Sequence, residues 1–201
     1  MTPQEHIDLV DWRRRVGDAY RLPSVADWRA ARDRLFRSHP QSPVPPDERD
    51  SFPGLRWFEP DPAYRVPARI EPADGQPVDI DTGGEDGVVH FRRTARLRFE
   101  LQGQACALIV LALQGYGSGL FVPFRDATSG QETYGGGRYL VDTVKCTDGG
   151  CLEVTAGSPD VVIDFNYAYH PSCVYSPRWA CPLAPPENRL PVPVRAGERL
   201  L

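Results

Sequence analysis

The sequence predicts an α+β fold that is mainly antiparallel β, in which two N-terminal amphipathic helices pack against a β barrel or roll. Three patterns predict it. Apolar residues recur every three or four positions over residues 4–38, as on one face of a helix. Apolar and polar residues alternate over 89–101, as in a half-buried strand. Short strand-like segments joined by glycine-rich turns follow, as in antiparallel barrels.

Two helices are predicted within residues 4–38. Leu9, Trp12 and Val16 share one face of the first helix, and Pro23 interrupts the pattern. Ser24 is expected to cap the second helix, because a serine hydroxyl accepts a hydrogen bond from the free N–H groups of a first turn. The second apolar stripe consists of Trp28, Ala31, Leu35 and Phe36. Both stripes need an apolar surface to cover, which a β body provides.

Residues 40–62 are expected to form a stiff, extended connector, because they contain seven prolines. Large apolar side chains interrupt the prolines and are expected to pin the connector to the body: Phe52, Leu55, Trp57 and Phe58. No domain boundary is therefore predicted here. The chain, 1–201, is interpreted as one domain with a helical part (1–39), this connector (40–62) and a β body (63–201) that ends in an irregular C-terminal closure.

Residues 89–101 are predicted to form the first strand of a hairpin, and only Arg93 breaks the alternation of apolar and polar residues. Gln102 and Gly103 then give a two-residue turn, which places Phe99 opposite Cys106 on the returning strand. The returning strand is apolar on both faces, so its second face must also be covered. The N-terminal helices and the apolar stems of the arginine side chains are the two candidates for this cover.

Further short strands are predicted at 64–71, 76–81, 119–124, 138–145, 151–155, 160–165 and 191–195. Glycine-rich joints separate several of them, at 115–119, 134–139 and 148–150. Strands joined by such short turns pair most simply with their neighbours along the chain, which favours an antiparallel sheet.

The composition argues against some partners and predicts a cytoplasmic protein. A net charge of −4 argues against nucleic acid or an anionic membrane as the main partner. The longest apolar run, 105–113, has nine residues, about half of the roughly 20 that a membrane-spanning helix needs. The N-terminal residues lack the apolar core of a signal peptide, and in a reducing cytoplasm the five cysteines are expected to be free thiols. The sequence carries no prediction of homo-oligomeric state.

The segment HPSCVYSPRWACP, residues 170–182, gathers one of the four histidines and two of the five cysteines. Its three prolines argue against a helix or a central strand. A metal site, a reactive thiol and a structural closure all remain open for such a segment. We interpret it first as a closure, whose prolines fix an irregular path and whose rings cover the core, with one side bordering a pocket.

No cofactor is predicted, and zinc is kept as a less favoured alternative. Its ligands would be four thiolates: Cys146, Cys151, Cys173 and Cys181. The gaps within the two pairs are four and seven residues, and the second exceeds the two to four residues typical of structural zinc sites. A disulfide between Cys173 and Cys181 is a further alternative, which a reducing compartment disfavours.

Polar residues around the closure are candidates for a pocket. Asp164 and Asn166 leave the end of the strand at 160–165 on the same side, towards the closure. Four rings are expected to form the apolar wall: Tyr167, Tyr169, Tyr175 and Trp179. The candidate ligand-binding residues are Arg125, Asp126, Tyr134, Arg138, Asn166, Tyr169, His170 and Asn188. The two arginines of this set suit a carboxylate or a phosphate, and the alternative is that they pair with Asp126, Asp142 or Asp164 of the chain itself.

Binding of a small organic ligand at the mouth of the barrel is the function that these features favour. Aromatic walls with a few convergent polar groups are how small-molecule pockets are generally built. The alternative is an enzyme, a hydrolase or lyase, that uses Glu187, Asp164 or Cys173. An interaction module with a solid interior is a third possibility.

Three stretches of the chain resemble a family of bacterial and archaeal proteins known as domain of unknown function 1684. They are DWRAARDRLFRSHPQSPVPPDERDSFPGLRWFEPDPAYRV at 27–66, GLFVPFRDATSGQETYGGGRYL at 119–140 and DFNYAYHPSCVYSPRWACPLAPPENRLPV at 164–192. The resemblance implies a single, mostly β domain with an N-terminal helical part, and it implies no activity. The chain departs from the family pattern at His170, Cys146 and Cys151, which counts against an essential role for these three residues.

Overall fold

Two helices open the chain in the computed structural model, which describes residues 2–84, 87–115, 117–147 and 149–200. They are α1 (Pro3–Ala19) and α2 (Val25–Ser38). Thr2 and Glu5 form a capping box at the start of α1, and the hydroxyl of Ser24 accepts a hydrogen bond from the N–H of Asp27 at the start of α2. The two predicted helices and the predicted cap of the second are confirmed.

Ten strands follow within the described residues. They are β1 (Arg56–Trp57), β2 (Arg65–Pro72), β3 (Pro77–Asp81), β4 (Val88–Leu101), β5 (Gln104–Leu113), β6 (Leu120–Phe124), β7 (Arg138–Asp142), β8 (Leu152–Val154), β9 (Asp160–Asp164) and β10 (Glu198–Arg199).

The main sheet has the order β7-β6-β5-β4-β2-β9-β8, and β3 pairs with the first half of β4. Its named strands pair antiparallel throughout. The sheet curves into an open half-barrel, and the short strands β1 and β10 pair separately. The predicted fold class, an antiparallel barrel or roll with two N-terminal helices, is confirmed.

The β4–β5 hairpin has the predicted register, with Phe99 opposite Cys106. Gln102 and Gly103 have φ of 53° and 72°, so the turn uses two left-handed residues, as the twist of a two-residue hairpin requires. A bulge lies next to Arg93, at the position where the alternation of apolar and polar residues fails.

The sheet buries apolar side chains on both faces. Leu97, Phe99 and Leu108 belong to the inner core of the half-barrel. Ile109 of β5 points to the opposite face, where it shares a second core with Trp28 of α2. Of the two candidates for the cover, the helices therefore pack on the second face of β5, and Trp28 is buried at the junction.

One predicted strand is absent: residues 191–195 form no strand. Pro191 and Pro193 lack the N–H groups that a ladder needs. Side chains bind the backbone of this segment instead, since Asp126 accepts from the N–H of Val194 and Arg138 donates to its carbonyl. The strand near the C-terminus is β10. The predicted joints at 115–119 and 148–150 lie partly outside the described residues, which omit Tyr116 and Asp148.

Neither α1 nor α2 nor any other helix of the described residues combines the length and the apolar character needed to cross a membrane.

Candidate functional site

The closure, residues 170–182, is held between the edge of the sheet and the helical part. The hydroxyl of Tyr139 on β7 donates to the carbonyl of Pro182 at 2.5 Å, and the indole N–H of Trp179 donates to the carbonyl of Pro43 at 3.3 Å. The ring of Tyr175 meets Phe36 of α2 edge-on, with 5.0 Å between centroids. The closure thus contacts both the sheet and the helical part of the fold.

A cavity of about 280 Å³ lies beneath the closure. It is lined by residues 54–56 of the connector, by residues 198–200 near the C-terminus, and by His170, Val174 and Tyr175 of the closure. This volume is close to the lower end, about 300 Å³, of the range usual for small-molecule sites. A groove of about 380 Å³ between the two helices is larger, but no buried polar side chain lines it.

One of the residues that line this cavity, Glu198, is a buried acid. Glu198 is 1% exposed, and its Oε2 accepts a hydrogen bond from the N–H of His170 at 3.0 Å. The same oxygen lies 3.5 Å from Nη2 of Arg32. Nε2 of His170 accepts from the N–H of Tyr134 at 3.2 Å, which places the proton of the neutral ring on Nδ1, 3.7 Å from Oε1 of Glu198. Arg32 and His170 together balance the buried acid.

Arg32 also faces a smaller space on the other side of His170. Its guanidinium lies 4.7 Å from the ring centroid of Phe36 and 4.6 Å from that of Tyr169. Its Nε has no hydrogen-bond partner among the described residues. The space has a volume of about 30 Å³, close to that of one water molecule. His170 therefore separates a ligand-sized cavity from a very small one.

Two arginines on the β1–β10 pair line the cavity of about 280 Å³. Arg56 and Arg199 are direct cross-strand partners, and both are exposed. Arg199 lies 5.9 Å from the ring centroid of Phe58, and the ion pairs of the described residues include neither arginine. Like charges directly opposite on a strand pair are destabilising. A bound anion between them would remove that repulsion.

Most of the polar residues predicted for a site bind backbone instead of lining this cavity. Arg138 is fully buried, pairs with Asp126 at 2.9 Å, and donates to the carbonyls of Val194, Ala196 and Glu198. Burial lowers the pKa of Arg138, and Asp126 opposes that shift. The pair ties the C-terminal segment to β7.

The two predicted asparagines act in the same way. Asn188 is fully buried, and its amide bonds both backbone groups of Ile109 and the carbonyl of Pro123. Asn166 bonds both backbone groups of Asp61 and donates to Asp164, whose carboxylate also accepts from the N–H of Asn166. Burial raises the pKa of Asp164, while these hydrogen bonds oppose the shift.

The structure does not bring the three candidate catalytic residues together. Glu187 pairs with Arg93 at 2.7 Å, Asp164 lies at the connector, and Cys173 lies in the closure. Of the predicted ligand-binding residues, His170 lines the larger cavity, as does Tyr175 of the predicted aromatic wall. Tyr169 and His170 line the smaller one. Arg125 binds residues 188–190 through its backbone.

The four cysteines considered as zinc ligands lie in different parts of the fold. Cys151 is fully buried in the inner core, and Cys146 lies beside Gly17 of α1. In the part of the chain that the structure describes, no three or more His, Cys, Asp or Glu side chains are arranged to hold a metal ion. Cys173 and Cys181, in contrast, both belong to the closure.

The interaction between these two thiols shifts the pKa of each. Donation from the Cys173 thiol lowers the pKa of Cys181 to about 6, against the opposing effect of burial, and Lys145 and the N–H groups of Cys173 and Ser172 act in the same direction as the thiol. The hydrogen bond and burial raise the pKa of Cys173. Cys181 is 3% exposed, whereas Cys173 is half-buried, and its sulfur lies 4.0 Å from the hydroxyl oxygen of Tyr134.

Sequence reasoning missed Arg32, Glu198, Arg56 and Arg199. A signal existed for Arg32, because it sits four residues from both Trp28 and Phe36, on the buried face of α2. Glu198 and the two arginines carry no such signal, since the separate β1–β10 pair that positions them joins distant parts of the chain.

The family and a solved structure agree with this fold. Residues 50–199 match the family model described as "Protein of unknown function (DUF1684)". An uncharacterised protein of Haloarcula marismortui, solved by solution NMR, is 41% identical, with a TM-score of 0.61 over 86% of this chain and 90% of that one. No curated protein matches the chain. Because the family model covers most of its length, the chain belongs to the DUF1684 family.

Proposed function

We propose that the protein binds a small organic anion, a carboxylate or a phosphate ester, in the cavity beneath the closure. The observation that carries this proposal is the pair of directly opposed arginines, Arg56 and Arg199, at a cavity of about 280 Å³. Two guanidinium groups suit the paired oxygens of a carboxylate or a phosphate. No activity is part of this proposal.

The remaining lining defines the rest of the ligand. Leu55, Val174, Tyr175 and Leu200 supply apolar surface for an organic body. Glu198 forms part of the lining and is balanced by Arg32 and by the N–H of His170. A negative group is therefore expected at the arginines and away from Glu198. A hydroxyl or amino group on the ligand could donate to that carboxylate.

The alternative, a hydrolase or lyase, has less support. Glu187 forms an ion pair with Arg93, and the carboxylate of Asp164 accepts a hydrogen bond from the N–H of Asn166. Each acid therefore already has a partner away from the cavity. Neither acid lies beside Cys173 as a base. A cytoplasmic location remains part of the proposal, and it is supported by the five free cysteines, which suit a reducing compartment.

Native mass spectrometry of the purified protein, with elemental analysis, is the first experiment. A retained organic mass would support the proposal. Titration with benzoate, benzamide and inorganic phosphate, followed by amide NMR shifts of Leu55 and Val174, is the second. We expect benzoate to shift these signals and benzamide, which lacks the charge, to bind at least about tenfold more weakly.

The double variant Arg56→Gln/Arg199→Gln should weaken benzoate binding by at least about tenfold. Arg14→Gln is the matched control, because it removes one exposed arginine of α1, far along the chain from the cavity lining. The proposal fails if the purified wild-type protein retains no mass and none of the three probes shifts Leu55 or Val174. It also fails if the double variant binds as the control does.

A further inference from the structure

We propose that the space of about 30 Å³ beside Arg32, called the small space below, is a binding site for a monatomic anion, chloride. The inference goes beyond the proposed function, because the small space and the cavity of about 280 Å³ share only His170 among their lining residues. Three observations support it: a buried arginine with unused donors, a lining that carries positive charge, and a volume that fits one small particle.

Arg32 is buried without using all the hydrogen bonds that its guanidinium can donate. The residue is 7% exposed, and its Nε has no partner among the described residues. Its Nη2 lies 3.5 Å from Oε2 of Glu198, longer than the roughly 2.7–2.9 Å of a charge-assisted hydrogen bond. The cation–π contacts with Phe36 and Tyr169 supply attraction but no acceptor atom. Because unused buried donors are costly, an acceptor in the small space would stabilise this side chain.

The lining of the small space carries positive charge. Arg32 and Lys145 both line it, and the described residues of the lining include no aspartate or glutamate. The acids that pair with these two cations lie outside the lining. Oδ2 of Asp142 is 3.6 Å from Nζ of Lys145, and Glu198 lines the larger cavity instead. The charges of the lining therefore favour an anion over a cation.

The hydroxyl protons of Thr147 and Tyr169, which also line the small space, are already used. Thr147 donates to the carbonyl of Asp142 at 3.0 Å. Tyr169 is therefore the donor in the 2.5 Å hydrogen bond between the two hydroxyl groups, because a hydroxyl has one proton. The donors that remain include the cationic groups of Arg32 and Lys145. An anion, which only accepts, suits such donors better than a water molecule, which must also donate.

The volume selects the kind of anion. About 30 Å³ is close to the volume that one water molecule occupies in the liquid. Phosphate and organic carboxylates have several heavy atoms and exceed this volume, whereas chloride and bromide are single atoms only a little larger than water. The rings of Trp12 and Phe36 form an apolar part of the wall, which offers no further polar partners to a larger oxyanion.

The first test locates the ion. Crystals of the full-length wild-type protein are grown in sodium bromide, and diffraction is measured at the bromine absorption edge. We expect an anomalous peak in contact with the guanidinium of Arg32. A water molecule at that position, in crystals whose bromide ions lie elsewhere or nowhere, would overturn the proposal. This test needs no variant to fold.

The second test measures binding in solution. Sodium chloride is titrated into chloride-free protein, and the amide NMR signals of Val16 and Thr147, which line the small space, are followed. We expect these signals to shift with saturation, and phosphate and gluconate at the same ionic strength to bind there at least about tenfold more weakly. Leu55 reports on the larger cavity. If chloride shifts Leu55 but neither Val16 nor Thr147, the proposal of a chloride site fails, while the proposed function remains.

Variants test the two cations. Arg32→Gln should weaken chloride binding by at least about tenfold, and Lys145→Gln by at least about threefold. The side chain of Lys145 is 41% exposed, so its variant keeps the test open if Arg32→Gln does not fold. Arg34→Gln is the matched control, because Arg34 is an exposed arginine of the same helix outside the lining, and it should bind chloride as the wild-type protein does. Equal binding by this control and by either of the other two variants would overturn the proposal.

Discussion

Replacing Asn188 with alanine removes a side-chain amide that hydrogen-bonds to the backbone of two neighbouring strands, β5 and β6. Pairing of β5 with β6 is confined to Leu111–Phe121 and Ala112–Leu120. Beyond this ladder the Asn188 Oδ1 accepts from the N–H of Ile109 at 2.7 Å, and its Nδ2 donates to the carbonyls of Ile109 and Pro123 at 2.9 and 2.8 Å. The side chain joins the two strands where their own groups no longer meet.

The variant leaves three backbone groups without these partners in a fully buried place. A buried group that loses its partner costs about 1–3 kcal/mol, and a carbonyl usually costs less than an N–H. We therefore expect Asn188→Ala to lower the free energy of unfolding by about 3–6 kcal/mol, against the roughly 5–15 kcal/mol available to a whole domain. The variant should be close to the limit of folding.

Urea unfolding followed by fluorescence measures this loss, with the slope of the transition expected to stay unchanged. Asn188→Asp separates hydrogen bonding from volume, because it keeps the shape and one acceptor but loses both donors, and it should cost at least as much. Gln114→Ala is the control: its exposed amide makes one bond, to the carbonyl of Ala112, and its loss should cost less than about 0.5 kcal/mol. A folded Asn188→Ala that loses less than about 1 kcal/mol would refute the reasoning.

Two further outcomes are expected. Arg138→Met should lower the free energy of unfolding by about 3–5 kcal/mol in the same urea assay, because it leaves the buried carboxylate of Asp126 unpaired, and a loss below about 1 kcal/mol would contradict this. Burial raises the pKa of Asp142 in the folded state, so the free energy of unfolding should fall as the pH rises from the ordinary pKa of aspartate through the raised one. Asp142→Asn removes this ionisation, and its melting temperature should therefore fall less over the same pH range. A variant with the pH profile of the wild-type protein would contradict this.

The hairpin could be predicted to the residue because two local signals agreed. Alternation of apolar and polar residues gave the faces of β4, and Gln102-Gly103 gave the turn that fixes the register. The segment 191–195 lacked such agreement. Its valines favour a strand, but its prolines remove donors, and the groups that hold it come from Asp126 and Arg138, far away in the chain. Long-range partners of this kind leave no local pattern.

The candidate site, too, could be predicted from the sequence only in part. Composition alone located the closure, because proline, cysteine and aromatic residues concentrate there. Glu198 of β10, which lines the cavity, pairs with Arg32 of α2, and this contact joins opposite ends of the chain. Spacing predicts neighbours on one helix or strand, and no spacing rule connects these two residues. Only the fold brings them together.

A physical criterion for finding sites in such a chain follows from where its polar side chains go. Irregular, proline-rich backbone exposes carbonyls that no ladder reaches, and buried carbonyls must find donors. Arg138, Asn166 and Asn188 supply those donors, so a polar residue in the closure region is most often bound to backbone. Groups that face a cavity with donors to spare, such as Arg56 and Arg199, are the exceptions. In this fold, a side chain at a cavity whose donors have no partner in the protein therefore indicates a ligand site better than a polar residue in the closure does.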